Sequence, residues 1–451
     1  MTTPICDFVR RYAKTKPIRL HMPGHKGRGP LGAERWDITE IDGADDLFAP
    51  AGVIEQSEQN AGALFGAKTL YSTAGSTLCI QAMVYLAALA ASAAGAKPLI
   101  LAARNAHKAF LHAAALLGVQ VQWLYPEGGT AYYSGVVTPQ AVQAALNAPN
   151  RPTAVYITSP DYTGNLADVA GLAAVCHKAG VLLLVDNAHG AYLNFLPTPQ
   201  HPIALGADLC CDSAHKTLPV LTGGAYLHLN NGAPALLKQN ARTALGLFGS
   251  SSPSYLILQS LDAANKYLAT FSAGLAAFLP KVQALKNALR QFGYRLMGQE
   301  PLKLTLLAGS VGYSGPQLAG LLKQNGIYPE FYDKDLLVLM LTPQNRAGEL
   351  KKLQRVLCSV TKMKAVKTNF PRLSPLPAAL SPRQALLCES EVLALEQCLG
   401  RVCAAAALSC PPAVPVAVCG EVLTKEALSC LAYYGIKQCA VVKNSGGQTG
   451  F

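Results

Sequence analysis

The sequence lacks the cysteine pairs of a zinc-binding module. It contains 13 cysteines in 451 residues, but no CxxC pair occurs among them. The odd number of cysteines, placed within apolar segments, predicts buried, reduced thiols and a cytoplasmic protein. Because no spacing of His or Cys residues suits a metal ion, we expect no metal site.

Charged residues are also scarce, at 14% of the chain against 51% hydrophobic residues. This composition excludes a disordered chain, and so low a charge is typical of an oligomer with a large buried interface. The 38 Lys and Arg outnumber the 26 Asp and Glu, which gives a net charge of +12. These cations are scattered, without a dense basic run or interleaved aromatic residues. We therefore expect anionic ligands in general and no nucleic acid.

Long apolar runs are missing as well. The first 20 residues, MTTPICDFVRRYAKTKPIRL, contain no apolar signal core. The longest apolar stretch, Ala82 to Ala94, is rich in alanine and too short to span a bilayer. We therefore expect no membrane segment and, from the length of the chain, two or three domains.

The most informative stretch of the chain is Val181 to Lys216. Its first part, VLLLVDNAHGAY, predicts a buried strand that ends at Asp186. Its second part, ADLCCDSAHKTL, predicts another short strand that ends before Asp212 and is followed by Ser213, His215 and Lys216. Each residue alone has a simpler explanation, because strand-end aspartates often cap turns and most lysines are solvated. Together, a strand-end carboxylate and a lysine suit pyridoxal phosphate (PLP), which a lysine holds as a Schiff base and a carboxylate pairs at its pyridinium nitrogen.

Predicted strands and helices alternate around this stretch. The strands are Pro98 to Ala102, Val119 to Leu124, Thr153 to Thr158 and Gly223 to Leu229, and the helices are Asn105 to Leu117, Pro139 to Leu146, Asp168 to Ala179 and one near Ala233 to Leu245. A further long helix is predicted to run past Phe271 toward Gly293. Such alternation predicts a largely parallel sheet covered by helices, whose ligands bind at the carboxyl ends of the strands. Four groups of candidate site residues follow such ends: His107, Asp161 to Asn165, Asp186 to His189, and Ser213 to Lys216.

The turn Ala74 to Thr77 precedes a predicted helix from Leu78. Its small hydroxyl residues fit either a helix N-cap or a phosphate-binding site, and the residues alone leave both open.

The two ends of the chain differ from its middle. The sequence of residues 1–65 predicts an N-terminal arm. It contains two loop-like stretches, HMPGHKGRG and ITEIDGADDLFAP. A smaller domain is predicted from strands Leu302 to Leu307 and Leu336 to Leu341 and from helices Gly315 to Gln324 and Arg346 to Ser359. A Pro-rich linker, Asn369 to Pro382, then precedes a small unit with a helix from Arg383 to Leu399. The predicted divisions are an N-terminal arm, 1–65, and three domains, 66–288, 289–368 and 369–451.

These motifs together resemble the PLP-dependent Orn/Lys/Arg decarboxylase family. The resemblance covers nearly the whole chain and rests on HMPGHKGRG, TEIDGADDLFAP, FGA, AGST, IQAM, NAHKA, SPDYTGN, DNAHGA, SAHKTL, SSPSY, GIYPEFYD and the C-terminal CPPAVPVAVCGE. It implies an α/β fold, the PLP-dependent transferase fold type I. That fold has a large domain with a mostly parallel sheet, a smaller α/β domain and, in this family, a small C-terminal domain.

The resemblance also implies roles for single residues. Lys216 would hold the cofactor, Asp186 would pair with the ring nitrogen, and His107 would stack on the ring. The further cofactor-binding positions would be Gly75, Ser76, Thr77, His189, Ser213 and His215, with Ser251 and Ser252 reaching the phosphate of a neighbouring subunit. The implied assembly is a homodimer or larger homo-oligomer with shared active sites.

Two positions depart from the family pattern. Asn187 stands where the family often has Glu in DEAHG, and PPAVP and CGE replace PPGIP and PGE near the C-terminus. These changes leave the cofactor residues intact but affect the expected C-terminal contacts.

The implied reaction is α-decarboxylation of arginine, lysine or ornithine to an amine and CO2, which would feed polyamine synthesis. Either Lys216 or His215 would protonate Cα, so the candidate catalytic residues are Lys216, Asp186, His107 and His215. A carboxylate is needed for the distal cation of the substrate, and the candidates are Glu330, Asp333, Asp45 and Asp46.

Two other functions stay open at this point. A fold-type I aminotransferase or β-eliminating lyase would use the same cofactor, although Arg346 does not match the context of an aminotransferase carboxylate-binding arginine. A non-catalytic protein of this fold would not need Lys216, Asp186 and His107 together.

Overall fold

The structure is a computed structural model of the chain and describes residues 1–126, 134–367, 370–372, 374–409 and 414–443. The first four residues of CPPAVPVAVCGE and part of the Pro-rich linker lie outside the described residues. The chain folds into two compact units. The first unit comprises Met1–Ala90, Val169–Pro280 and Thr342–Gln344, and the second comprises Ala91–Asp168, Lys281–Leu341 and Asn345–Phe451.

Helices and strands alternate through most of the chain. The helices are α1 (Pro4–Lys14), α2 (Val53–Phe65), α3 (Gly75–Ala93), α4 (Lys108–Leu117), α5 (Pro139–Leu146), α6 (Val169–Lys178), α7 (Ala214–Thr217), α8 (Ala235–Gly246), α9 (Tyr255–Leu268), α10 (Phe271–Phe292), α11 (Gly315–Gln324), α12 (Ala347–Cys358), α13 (Pro382–Leu387) and α14 (Lys425–Tyr433). The strands are β1 (Lys68–Ser72), β2 (Leu99–Ala103), β3 (Gln120–Leu124), β4 (Ala154–Thr158), β5 (Leu182–Asp186), β6 (Leu209–Asp212), β7 (Ala225–Leu229), β8 (Arg295–Met297), β9 (Lys303–Leu307), β10 (Phe331–Tyr332), β11 (Leu336–Met340), β12 (Ser390–Ala394), β13 (Ala407–Ser409), β14 (Pro415–Val418) and β15 (Gln438–Val442).

The first unit contains four hydrogen-bonded strands in the order β1-β7-β6-β5. Strands β5 and β6 are parallel, whereas β7 is antiparallel to both β6 and β1. Strands β6 and β7 are buried along their whole length, and only Asp212 and His228 interrupt their apolar sequences. The parallel pair β5 and β6 therefore ends at one edge, as the sequence predicted for Asp186 and Ser213.

The segment predicted as an arm is helical at both ends. Helices α1 and α2 bury Ile5, Val9 and Ile54 completely within the first unit. The loops between them contain the predicted turns and one short 3-10 helix, Glu34–Trp36. The three predicted boundaries between these segments stay a prediction.

The second unit contains three parallel strands in the order β4-β2-β3. It also contains a four-stranded antiparallel sheet in the order β10-β11-β9-β8, with α11 and α12. These elements confirm the strands and helices that the sequence predicted for a smaller α/β domain. The C-terminal segment of this unit has a hydrophobic core of its own, which includes Leu395, Val416, Leu431 and Val441.

Two helix predictions are wrong. The helix predicted from Arg383 to Leu399 ends at Leu387, and β12 follows and pairs with β15 more than 40 residues later. A partner so distant leaves no local signal in the sequence. The long helix predicted to run past Phe271 is broken after Leu268, and its halves α9 and α10 are bent by 79°. The Thr270 hydroxyl donates to the carbonyl of Tyr267 at the break, in competition with the backbone ladder.

One described helix, α3, is long and apolar enough to cross a membrane by length and composition alone. More than half of its apolar window is buried inside the protein, as in a core helix. Helices α9 and α10 meet the same test only as a bent pair. These helices are therefore weak evidence for a membrane segment.

The twelve cysteines in the described part of the chain carry free thiols, and ten of them are buried. Burial raises the pKa of Cys6 and of Cys176 to about 12. Only Cys358 and Cys388 of the twelve are partly exposed. This agrees with the buried thiols that the sequence predicted.

We expect a thiol reagent to modify native protein first at Cys358 and Cys388. Access to solvent favours these two, so the buried thiols should react at least about tenfold more slowly at pH 8. Peptide mass spectrometry after timed labelling measures the rates, and labelling in urea is the control in which all thiols react. Early labelling of Cys79 or Cys211 would contradict the packing described here.

Candidate active site

Two buried carboxylates lie at the neighbouring ends of β5 and β6. Asp186, the last residue of β5, faces Cys211 in the parallel ladder, and Asp212 is the next residue of β6. Side chains alternate along a strand, so Asp186 and Cys211 share one face of the sheet and Asp212 projects from the other. Asp186 is 2% exposed and Asp212 is fully buried. The two carboxylates are therefore buried on opposite faces of the sheet.

On the first face, the turn after β5 orients Asp186. Its Oδ1 accepts a hydrogen bond from the backbone N–H of Ala188 at 3.1 Å and lies 3.6 Å from the thiol of Cys211. The backbone N–H of Asn187 continues the ladder to the carbonyl of Cys211 at 2.9 Å. The carboxylate is thus held at the strand end, as a partner for a cationic ring nitrogen has to be.

Lys216 lies in the short helix α7 that follows β6. Its Nζ is 3.1 Å from Nε2 of His189, which lies in the turn after β5 and is 5% exposed. An imidazole nitrogen at this distance is positioned to exchange a proton with the amine. The sequence predicted both residues for the site, but it did not predict that they are in contact.

The start of α3 brings small hydroxyl side chains next to the first turn of a helix. Gly75 begins the helix with a φ of +71°, a left-handed conformation that favours glycine, and its N–H donates to the carbonyl of Gly223 at 2.7 Å. The hydroxyl of Ser213 donates to that of Ser76 at 2.7 Å, and Thr77 is exposed. First-turn N–H groups and hydroxyls of this kind bind phosphate groups. The residues present therefore fit the phosphate end of PLP.

Three other predicted residues occupy the same unit. Nδ1 and the backbone N–H of His215 lie 3.1 and 3.2 Å from the carbonyl oxygen of Gly224. These contacts fix His215 at the start of β7. Ser251 and Ser252 lie in an exposed turn before α9. Their predicted reach to a neighbouring subunit stays a prediction.

On the opposite face, Asp212 is the centre of a buried polar network that the sequence did not predict. Its Oδ2 is bonded to Nε2 of His201 at 3.0 Å and to Nε2 of His228 at 3.1 Å. Its Oδ1 accepts from the amide of Asn187 at 2.6 Å. Burial by itself would raise the pKa of Asp212, but the two imidazoles outweigh it and hold that pKa well below its usual range. Burial also lowers the pKa of His228, so this ring is a neutral donor at pH 7.

His201, Cys210 and Asp212 place atoms of metal-ligand type within 4.8 Å of one another. However, Nδ1 of His201 accepts from the backbone N–H of Ile203 at 3.3 Å, which places the ring proton on Nε2, facing Asp212. A histidine that binds a metal through Nε2 has the opposite tautomer. The arrangement is therefore that of a hydrogen-bonded network and not of a metal centre.

Asn187 explains one departure from the family pattern. Its amide crosses from the end of β5 to Asp212 at the end of β6. A glutamate at position 187 would place a second carboxylate against Asp212 in a fully buried environment. The amide and the strand-end aspartate are therefore a matched pair in this chain.

His107 lies in the second unit, directly before α4. It is exposed and caps this helix, because its Nδ1 accepts from the backbone N–H of Ala109 at 3.2 Å. The cap explains why α4 begins at Lys108 and not at Asn105 as predicted. The predicted stacking of His107 on the cofactor ring stays a prediction.

The loop Asp161 to Asn165 is also in the second unit and is organised by Asp161. The buried carboxylate accepts from the backbone N–H groups of Thr163 and Asn165, at 3.0 and 2.9 Å. The next residue, Tyr162, donates its hydroxyl to Oε1 of Glu330 at 3.0 Å. Asp161 is thus structural, whereas the exposed Glu330 is tied to a loop that the sequence placed at the site.

The structure separates the four carboxylates proposed for the distal cation. Asp45 is a structural cap, since it accepts five backbone N–H groups around the start of α2, from Asp46, Ala51, Gly52, Ile54 and Glu55. Asp333 accepts two backbone N–H groups through Oδ1, and burial raises its pKa to about 6. Asp46 is exposed and accepts from the N–H of Phe48. Asp46, Glu330 and Asp333 stay candidates.

We expect Asp212→Asn to lower the free energy of unfolding by about 3 kcal/mol or more at pH 7, because it removes the buried charge and replaces one of the two acceptor oxygens among three buried donors by an NH2 group. The folded-state pKa of Asp212 is depressed, so its contribution is present above the unfolded pKa near ~3.9 and is lost as the pH falls further. Urea unfolding at pH 7, 4 and 3 should show the gap to wild type shrinking below about pH 4. The control is the exposed Asp42→Asn, and a gap that does not change with pH would contradict the charged network.

Comparison with known proteins identifies the family. The family model "Orn/Lys/Arg decarboxylase, major domain" matches residues 3–292. The chain is 28% identical over 462 residues to an arginine decarboxylase of Bacillus subtilis (strain 168), covering 95% of this chain and 92% of that protein. It is 29% identical over 459 residues to the uncharacterized protein YaaO of the same organism, covering 96% and 94%.

A solved structure shows the same fold. The Francisella novicida lysine decarboxylase LdcF superimposes with a TM-score of 0.80 at 17% identity, over 98% of this chain and 81% of that one. This confirms the predicted fold class, the PLP-dependent fold type I. The family match agrees with the lysine, the strand-end carboxylate and the helix start described above. The chain belongs to the Orn/Lys/Arg decarboxylase family and is a PLP-dependent amino-acid decarboxylase.

Proposed function

We propose that the protein decarboxylates arginine to agmatine and CO2, with lysine and ornithine as the competing substrates. The observation that carries this proposal is the contact between Lys216 and His189 beside the oriented carboxylate of Asp186. Arginine is favoured because a relative that matches over nearly its full length is named an arginine decarboxylase. The lysine decarboxylase structure is only 17% identical and supports the fold alone.

Each of the following site residues in the first unit has a defined task in this proposal. When bound, the cofactor supplies an electron sink for the electron pair that remains when the bond between Cα and the carboxylate breaks. Lys216 would hold it through Nζ, and Nε2 of His189, 3.1 Å from that amine, would take or return its proton. Asp186 would hold a proton at the ring nitrogen, and the hydroxyls of Ser76 and Ser213 with the start of α3 would hold the phosphate. Either Lys216 or His215 protonates Cα of the product.

The distal guanidinium requires a carboxylate. Glu330 suits this task best among the remaining candidates, because it is exposed and its partner Tyr162 leaves one carboxylate oxygen for a second donor. Asp333 is the alternative, since it is partly buried and has a raised pKa. A carboxylate can accept a guanidinium in a bidentate pair.

The assembly and setting belong to the same proposal. We infer a cytoplasmic homodimer with active sites shared between subunits, in which Ser251 and Ser252 of each subunit reach the other subunit's cofactor. Large apolar side chains support an interface near the N-terminus, since Ile18, Leu20 and Leu31 are each at least 86% exposed. The amine product would enter polyamine synthesis.

Purified protein loaded with PLP and given arginine, lysine and ornithine together should form mainly agmatine. Mass spectrometry of the products measures this, and Lys216→Ala should form no amine above background. Cadaverine or putrescine in excess of agmatine would still show decarboxylation, but it would identify lysine or ornithine as the preferred substrate. Release of keto acids or ammonia without any amine would contradict decarboxylation and favour a transaminase or a β-eliminating lyase.

Glu330→Gln should raise KM for the preferred substrate by about tenfold to a hundredfold, because one charge-assisted contact to the distal cation is lost. The value of kcat should change less, since the reacting bond is at the other end of the substrate. Steady-state kinetics with Asp333→Asn and the exposed Glu349→Gln alongside distinguish the candidates. An unchanged KM in Glu330→Gln together with a raised KM in Asp333→Asn would assign the contact to Asp333.

A further inference from the structure

The second unit contains a fully buried arginine directly after β2. Arg104 is not exposed at all, and its two terminal nitrogens donate to the two carboxylate oxygens of Glu421, both at 2.7 Å. The side chain of Glu421 is only 4% exposed. An ion pair so far from water is retained only when its geometry and its remaining hydrogen bonds offset the cost of desolvation.

The C-terminal segment supplies most of that compensation. The guanidinium of Arg104 also donates to the carbonyls of Pro415 and Val416, at 3.3 and 3.2 Å. Its flat face lies 5.0 Å from the ring centre of Trp123 on β3. Glu421 in turn accepts from the backbone N–H of Val418 at 2.9 Å. The pair is therefore built into the segment from several sides.

The backbone around Glu421 allows little movement. Gly420 has a φ of +92°, and a Cβ at this position would lie 2.1 Å from the carbonyl oxygen of Leu380. Glu421 itself forms a β-bridge with Ala378. The altered motif CGE thus keeps the two residues that this contact uses, Gly420 and Glu421. The departure at Cys419 leaves the contact intact.

The same segment also holds the far end of α4. The guanidinium of Arg383, in α13, donates to the carbonyl of Leu116 at 2.8 Å and lies 3.4 Å from that of Ala115. These are carbonyls of the last turn of α4, where a cation also complements the helix dipole. At the other end, Arg104 is three residues before His107, the N-cap of α4.

We propose that Arg104, Arg383 and Glu421 form a C-terminal clamp that positions His107 by fixing both ends of α4. Arg104 and Glu421 are positioning residues in this proposal, because they act through His107. The proposal rests on the proposed PLP-dependent function, together with the stacking of His107 on the cofactor ring that the resemblance implies. It gives a task in the reaction to the segment after residue 292, which the match to the major domain does not cover.

The test is a double-mutant cycle of Glu421→Gln with His107→Ala, with PLP affinity of the apoprotein as the main readout. Glu421→Gln alone should weaken PLP binding about tenfold and shift the visible absorbance of the bound cofactor. In the His107→Ala background it should weaken binding no further, because the group through which it acts is gone. Glu389→Gln, which removes an exposed ion pair with Lys443 in the same segment, is the matched control and should match wild type.

Additive effects of the two substitutions would overturn the proposal, as would a Glu421→Gln protein that unfolds at lower temperature but binds PLP normally. If Glu421→Gln does not fold, Arg383→Gln takes its place in the cycle, because it removes only the contact at the end of α4. Unchanged PLP affinity in His107→Ala would also overturn the proposal. Amine formation by wild-type protein, measured in parallel, reports on the decarboxylase function separately.

Discussion

The hydrogen bond between Asn187 and Asp212 joins the ends of two parallel strands, and the arrangement of the candidate site depends on it. It fixes the turn after β5 against the turn after β6, on the face opposite Asp186. The first turn bears Asp186 and His189, and the second bears Ser213 and Lys216. A small shift between the strand ends would separate Nζ of Lys216 from His189, which are only 3.1 Å apart.

Two buried charges, each with a full set of partners, fix the local structure around the predicted site residues, one in each unit. In the first unit, Asp212 is compensated by two imidazoles and an amide. In the second unit, Arg104 is compensated by Glu421 and by carbonyls of the C-terminal segment. Buried charges are costly unless every partner is in place, so each network permits essentially one local arrangement. Each buried charge is followed, a few residues later in the chain, by a residue that is predicted to contact the cofactor.

The sequence predicted the elements whose signals are local. Runs of apolar residues that end in Asp186 and before Ser213 predicted β5 and β6, and the alternation of strands and helices predicted the fold class. The contacts that hold the site were not predictable, because His228 and Asp212 come from different strands and Glu421 is 317 residues from Arg104. For the same reason β12 was taken for a helix, since its partner β15 is far away in the chain. The role of Asn187 also required the structure, because the sequence showed only that it differs from the family.

The central claim is that Lys216 holds the cofactor at the end of β6. Reduction of the PLP-loaded protein with borohydride makes the bond between lysine and cofactor permanent, and peptide mass spectrometry then locates it. The account predicts the added mass on the peptide that contains Lys216, and its absence from Lys216→Ala. Added mass on another lysine of the wild-type protein would contradict the assignment of the site.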